Sequence, residues 1–130
     1  MNEKVQYWLE LCDDDIKTAK TLLDAERLLH MGFFCHLVVE KAIKAIITHR
    51  DDDFPPKIHV LRKLAVKSGI YESLTESQLT LLEKLNPLQI EARYPEYKEK
   101  VLNTLTKEYC ERLLAETEEF LCWTKKLLSK

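Results

Sequence analysis

Two groups of side chains combine residue types that could bind an anionic ligand. The first is a polar stripe within an otherwise apolar segment, formed by His36, Glu40, Lys44 and Thr48 at four-residue spacing, with Lys41 beside it. Residues four apart share one face of a helix, so these side chains should lie in one strip. Two interpretations are open: a solvated edge with intrahelical ion pairs such as Glu40 to Lys44, or a polar groove that faces a partner or a ligand.

The second group is the segment 93–100, which reads Arg-Tyr-Pro-Glu-Tyr-Lys-Glu-Lys. Arg93 suits phosphate because a guanidinium group can donate two parallel hydrogen bonds, and Tyr94 could stack on a nucleobase. The alternative is structural, with Tyr94 packed against the core and Arg93 paired with a nearby carboxylate, Glu91 or Glu96. Both interpretations of this segment stay open.

Several classes of catalytic or cofactor site are disfavoured by what the sequence lacks. Two glycines are too few for a phosphate-binding glycine loop or a serine nucleophile elbow. There is no Glu-x-x-His, no His-Glu-x-x-His and no pair of cysteines at CxxC spacing. His36 and Glu40 share a face, but one pair of ligands is not a metal site. We therefore expect no metal and no cofactor.

Composition limits the environment and the partners of the chain. The net charge is −2 and the pI is about 6.1, whereas proteins that bind duplex DNA usually carry a strong basic excess. No signal peptide is apparent, and no apolar run approaches the roughly 20 residues that span a bilayer. All four cysteines lie in largely apolar segments. We expect a cytoplasmic protein with reduced thiols that binds neither membrane nor duplex DNA.

Hydrophobic periodicity predicts an all-α fold, because apolar residues recur at helical spacing along most of the chain. The predicted helices cover residues 3–30, 33–50 and about 57–67, then a segment opened by the capping box Thr75–Gln78, and a last helix that begins between Glu96 and Thr106 and ends near Leu128. Met31-Gly32 is predicted to end the first helix and Ser68-Gly69 the third. Asn86-Pro87 is predicted to stop or kink the fourth.

The order of these features resembles the HEPN family. The pieces that carry the resemblance span nearly the whole chain: Trp8 and Asp14–Ala19, Gly32–His36, Val39–Ala45, Pro55-Pro56 followed by His59–Leu61, and Ala92–Pro95. The resemblance implies an up-and-down bundle of four main helices plus one short helix, with residues 1–130 as a single HEPN-like domain. It also implies a prokaryotic homodimer, often encoded beside a minimal nucleotidyltransferase in a toxin–antitoxin-like pair.

Many HEPN members are metal-independent ribonucleases that use an arginine and a later histidine with four to six residues between them. Here the positions five to seven residues after Arg93 hold Lys98, Glu99 and Lys100 instead. A lysine, with an unperturbed pKa of about 10.4, stays protonated at neutral pH and cannot replace imidazole as an acid–base group. The ribonuclease motif is therefore incomplete, which favours a noncatalytic protein.

Other family members are thought to bind nucleotides rather than cut RNA. The resemblance then implies Arg93 and Tyr94 as nucleotide-binding candidates, with Lys41, Lys44 and His59 as secondary ones, although His59 could simply hydrogen-bond the loop that it follows. We expect a noncatalytic module that binds a nucleotide, or RNA, or pairs with a nucleotidyltransferase. The alternatives are a ribonuclease toxin with an atypical site and a structural dimerisation module.

Overall fold

The computed structural model describes residues 2–52, 54–90 and 102–129. Arg93 and Tyr94 lie outside these ranges. Within them the chain forms five helices and a short 3₁₀ turn and contains no strand: α1 Glu3–Asp24, α2 Leu28–Asp51, α3 Leu61–Ser68, the 3₁₀ turn Tyr71–Ser73, α4 Glu76–Ile90 and α5 Lys107–Leu128. The prediction of an all-α bundle with four main helices and one short helix is confirmed.

Helix α2 is the central element, because every other helix packs against it. It is apolar on nearly all sides and contributes Val38, Val39, Ile43 and Ile46 to the core, as expected for a helix surrounded by neighbours. Its most extensive contacts are with α1, followed by those with α5, α4 and α3. Polar side chains in the middle of α2 are therefore placed inside the bundle, whereas those at its ends, such as His49, are exposed.

The break between the first two helices lies at Ala25–Arg27, so the prediction of a helix end at Gly32 was wrong. The turn uses Glu26, whose φ is 58°, and the amide of Arg27 donates to the carbonyl of Leu22 at 2.8 Å. Gly32 is buried inside α2, where an added Cβ would lie 2.8 Å from Cδ1 of Leu88 on α4. The glycine allows two helices to approach closely and does not end a helix.

Helix α4 continues through Pro87 to Ile90, so of the two outcomes predicted at Asn86-Pro87, a stop or a kink, the stop was wrong. Proline removes one helical hydrogen bond, but Leu85 and Leu88 on either side of it are buried, and their burial favours the continued helix. The side chain of Asn86 accepts a hydrogen bond from the amide of Leu61 at 3.3 Å. It thereby satisfies a free amide in the first turn of α3.

Helix α3 begins at Leu61 rather than near Lys57, and residues 54–60 form the loop that precedes it. Its predicted end is confirmed, since Gly69 follows it in the left-handed conformation with a φ of 84°. The predicted capping box is also present: the Thr75 amide donates to Gln78 Oε1 at 2.9 Å, and the Gln78 amide donates to Thr75 Oγ1 at 3.2 Å. Thr106 caps α5 through the amide of Tyr109.

None of the helices in the described part of the chain combines the length and apolar character that crossing a bilayer requires.

Candidate functional site

The polar stripe of α2 is buried. His36 is 0% exposed, Glu40 4%, Lys44 7% and Thr48 1%, so the interpretation of a solvated edge was wrong. The stripe faces α1 and the loop 54–60 because Trp8 and His59 contact it from those elements. A buried ionised side chain is strongly destabilising unless it is paired, so the contacts of this stripe decide what it can do.

Glu40 is the centre of a cluster of basic side chains. Its Oε2 accepts a hydrogen bond from Lys44 Nζ at 3.1 Å, and His59 Nδ1 lies 3.2 Å from each of its two oxygens. His36 Nδ1 is 3.6 Å from Oε1, beyond hydrogen-bonding distance. We call His36, Glu40, Lys44 and His59 the Glu40 cluster. The structure thus brings together three of the predicted site residues of α2 with one from the following loop.

His36 differs from the other members of this cluster. Among the described residues, its two ring nitrogens are the buried side-chain nitrogen or oxygen atoms that meet no partner at hydrogen-bonding geometry, although a backbone group of His59 is near enough to raise the pKa of the ring. Burial lowers the pKa of His36 to about 4, and the neighbouring Glu40 carboxylate opposes that shift only in part. The imidazole is therefore neutral at pH 7. Native proteins rarely bury a polar side chain unpaired, which marks this end of the stripe as unusual.

His59 is the member of the Glu40 cluster that reaches the protein surface. Its side chain is 55% exposed, whereas that of Glu40 is 5% exposed. With Nδ1 held by the carboxylate, the second ring nitrogen, Nε2, is left for a ligand or solvent. The alternative in which His59 only hydrogen-bonds its own loop is not what the structure shows, since its partner is Glu40 on α2.

A pocket walled by aromatic rings adjoins the cluster. Lys44 Nζ lies 5.9 Å from the ring centroid of Trp8, and Trp8 and Thr48 are both part of the wall of a cavity of about 250 Å³. We call this cavity the aromatic pocket; its other lining residues are Glu3, Lys4, Tyr7, Phe54 and Pro55. Tyr7 is 58% exposed and Phe54 83%. Exposed aromatic groups around one cavity are typical of a binding surface.

Sequence reasoning did not single out Lys4, Tyr7 or Phe54 as site residues. The signal it could have used is Phe54 itself, a large apolar side chain between an acidic run and two prolines. A phenylalanine in a loop cannot be buried on the apolar face of a helix, so it either packs onto the core from the loop or stays exposed, where it can contact a ligand. Phe54 and Trp8 are far apart in the sequence, so the sequence alone does not show that they line the same cavity.

Lys41 belongs to a different contact. Its Nζ pairs with Oδ2 of Asp15 on α1 at 2.5 Å. Asp13, also on α1, pairs with Lys125 on α5 at 2.6 Å. These ion pairs connect α1 to its two neighbours. The structure therefore does not bring Lys41 to the Glu40 cluster, and Arg93 and Tyr94, outside the described residues, stay predictions.

Neither metal binding nor a thiolate nucleophile is indicated by the described residues. Across residues 2–52, 54–90 and 102–129, no group of three or more His, Cys, Asp or Glu side chains could hold a metal ion. Burial raises the pKa of Cys12 and of Cys35 to about 12 and that of Cys110 to about 11, so these thiols stay protonated at neutral pH. Cys122 is exposed, contrary to the expectation of an apolar environment for all four.

Comparison with known proteins identifies the fold and the family model that the chain fits. A model of the HEPN domain matches residues 5–127. The crystal structure of TT1696 from Thermus thermophilus superposes with a TM-score of 0.79 at 18% identity, over 97% of this chain and 98% of that one. ST0689, described as an archaeal HEPN homologue, gives a TM-score of 0.67 at 16% identity, over 98% and 99%. No curated protein is significantly similar in sequence.

The buried His36 predicts a specific loss of stability in acid. The pKa of His36 is about 4 in the folded protein, below its ordinary value of 6.5, so between pH 4 and pH 6.5 the unfolded chain binds more protons than the folded one. The free energy of unfolding should therefore fall as the pH decreases from 6.5 to 4, by on the order of 3 kcal/mol from this group. Urea unfolding of wild type and His36→Phe across this range measures it.

The matched control replaces an exposed histidine of the same helix, His49→Phe. The stability difference between wild type and His36→Phe should change with pH more than that between wild type and His49→Phe, because the His36 side chain is buried and the His49 side chain is exposed. Parallel pH profiles for wild type and His36→Phe would show that His36 does not titrate as its burial requires.

Proposed function

Because this chain belongs to the HEPN family, we propose that it is a HEPN-like helical module that binds a nucleotide, with the aromatic pocket and the Glu40 cluster as two halves of one ligand site. The observation that best supports this proposal is the position of Lys44. Its ammonium lies 3.1 Å from Glu40 Oε2 and 5.9 Å from the centroid of the Trp8 ring. One buried cation therefore joins an aromatic wall to a hydrogen-bonded polar cluster.

The aromatic pocket suits a nucleobase. At about 250 Å³ it lies just below the range of roughly 300–1,000 Å³ for small-molecule sites, so it would take the base of a nucleotide rather than the whole molecule. Tyr7, Trp8 and Phe54 offer ring faces or edges for stacking, and base–aromatic stacking contributes about 1–3 kcal/mol per base. Thr48 in its wall already donates its hydroxyl to the carbonyl of Lys44 at 2.8 Å.

The phosphates of the ligand would bind cationic side chains at the rim of the aromatic pocket. Lys4 Nζ lies 5.9 Å from the Phe54 ring centroid, and its exposed pair with Asp52 at 3.9 Å is of a kind that contributes at most about 1 kcal/mol. A phosphate could therefore replace Asp52 at little cost. His59, at the exposed end of the Glu40 cluster, could donate to a phosphate through Nε2 when its ring is protonated, since Nδ1 already faces the carboxylate.

The partners in this proposal rest on family membership alone. We propose a noncatalytic prokaryotic homodimer that pairs with a minimal nucleotidyltransferase in a toxin–antitoxin-like system. Such pairing would place the bound nucleotide beside an enzyme that uses nucleotides. Light scattering of the purified chain, alone and with a co-expressed nucleotidyltransferase, tests the two partner assignments separately.

Removing one aromatic wall should weaken nucleotide binding without unfolding the protein. Phe54→Ala replaces a side chain that is 83% exposed, so its effect on stability should be small. Loss of one stacking contact predicts an increase in the ATP dissociation constant of about 10-fold, measured by calorimetric titration. Because stacking is tolerant of base identity, GTP, CTP and UTP should bind within a few-fold of ATP.

The control for this titration is Leu102→Ala, which truncates another exposed apolar side chain away from the aromatic pocket. It should bind ATP as the wild type does. Failure of the wild-type protein to bind any of the four nucleotides would rule out nucleotide binding. Equal losses of ATP affinity in Phe54→Ala and Leu102→Ala would rule out the aromatic pocket as the site.

A ribonuclease with an atypical site is the second candidate, and one observation favours it. A carboxylate 3.2 Å from His59 Nδ1 fixes the orientation and tautomer of an imidazole, as in acid–base catalytic pairs. Half of the His59 side chain is exposed, so Nε2 could exchange a proton with a substrate. This arrangement would supply the acid–base group that the incomplete sequence motif lacks.

RNA cleavage in the presence of a chelator separates the two candidates. A ribonuclease that uses His59 should lose about 100-fold or more of its rate in His59→Ala, because positioned acid–base groups contribute about 10²–10⁴-fold. The control His49→Ala, at an exposed histidine of α2, should keep full activity. Intact RNA after incubation with wild-type protein would eliminate this candidate and leave the noncatalytic one.

A further inference from the structure

The segment from Phe54 to Tyr71 is strongly basic within an acidic protein. It contains Lys57, Arg62, Lys63 and Lys67 and no aspartate or glutamate, although the whole chain has a net charge of −2. All four cationic side chains are exposed. The excess of positive charge is therefore local, and the net charge of the chain conceals it.

These four cations have no acidic partner, in contrast to most of the other lysines in the described part of the chain, where Lys17 and Lys126 are the exceptions. Within the described part of the chain, the lysines that form ion pairs are Lys4, Lys20, Lys41, Lys44, Lys84, Lys107 and Lys125. Lys57, Lys63 and Lys67 form none there, and Arg62 contacts only the ring of Tyr71. A group of like charges without compensation creates a positive potential that a polyanion can neutralise.

The fold holds this basic face in a fixed position. Helix α3 buries Leu61, Leu64 and Ala65 and packs against α2 and α4. Lys63 and Lys67 are four residues apart on its outer side, where helical geometry places their side chains next to each other. A ligand therefore meets a surface that is already ordered, which lowers the entropy lost on binding.

An aromatic slot lies beside the basic face. The Arg62 guanidinium carbon is 5.6 Å from the centroid of the Tyr71 ring, and both residues line a cavity of about 300 Å³ whose wall includes Leu79, Leu82 and Pro87. An arginine stacked on an aromatic ring can hold an unstacked base. Glu83 is also in this wall, so it would repel phosphates toward α3.

We propose that the outer face of α3 binds the phosphodiester backbone of a single-stranded nucleic acid, with one base inserted at the Arg62–Tyr71 cavity. Single strands are favoured because only an unpaired base can enter such a slot. An eight-residue helix spans about 12 Å, which is short for a duplex contact, and the acidic remainder of the chain would repel the second strand. This surface is separate from the aromatic pocket and does not depend on nucleotide binding there.

Fluorescence anisotropy with a labelled single-stranded oligonucleotide tests the proposal on the full chain. The double variant Lys63→Glu/Lys67→Glu should bind at least 10-fold more weakly than wild type. Each phosphate contact on a single strand contributes about 0.7 to the slope of log affinity against log salt, so the wild-type slope should be about −3 and become shallower by about 1.4. Tyr71→Leu, which keeps an apolar side chain, should also weaken binding.

The matched control is Lys17→Glu/Lys126→Glu, which makes the same change in net charge at two exposed lysines of α1 and α5. It should keep the wild-type salt slope. The proposal is wrong if the two double variants lose affinity equally, if wild type does not bind at low salt, or if a duplex or a polyglutamate chain binds as tightly as the single strand. Unchanged ATP binding by Lys63→Glu/Lys67→Glu would establish that the surface is separate from the aromatic pocket, and a parallel loss would contradict that separation.

Discussion

The rest of the structure depends on a carboxylate placed where a helical bundle would ordinarily have an apolar side chain. Glu40 lies in the middle of the central helix and is almost fully buried. Removing a carboxylate from water costs several kcal/mol unless partners compensate. Lys44, one turn further along α2, and His59, from the next loop, provide those partners. The polar stripe is thus a requirement of the fold as much as a feature of the site.

This requirement also determines the position of the loop between α2 and α3. His59 reaches Glu40 only when residues 54–60 lie along α2, and in that position Phe54 and Pro55 complete the aromatic pocket against Tyr7 and Trp8. The same loop leads into α3, whose first turn is fixed by Asn86 of α4. A single buried charge therefore connects the core to the aromatic pocket and to the basic face of α3.

Much of the fold could be predicted from local sequence signals. Apolar periodicity identified the helices, and capping residues such as Thr75 and the glycine at position 69 marked their ends, because these signals act within one helical turn. The predictions of a helix end at Gly32 and of a helix stop at Pro87 were wrong because the contacts that decide these positions do not act within one helical turn. The close approach of Leu88 explains the glycine, and burial of neighbouring leucines favours a helix through the proline. Neither contact is visible in a local window.

The site was less predictable than the fold. Four polar residues at helical spacing look the same on a solvated edge and in a buried strip, and the difference here lies in the contacts of Trp8 and His59, which are distant in sequence. The pocket likewise joins residues from the first helix and from a later loop. Periodicity could place His36, Glu40 and Lys44 on one face but could not show what covers that face.

Glu40 and Lys44 form a mutually dependent buried pair that holds the stripe together. A double-mutant cycle with Glu40→Leu, Lys44→Met and the two combined, followed by urea unfolding at neutral pH, tests this dependence most directly. Glu40→Leu leaves the buried Lys44 ammonium without its carboxylate, and Lys44→Met leaves Glu40 to pair with His59. Each single substitution should lower the free energy of unfolding by about 3–5 kcal/mol, while the double variant should lose far less than the sum. Additive losses would show that the two charges do not stabilise each other and that Glu40 and Lys44 are not a mutually dependent pair.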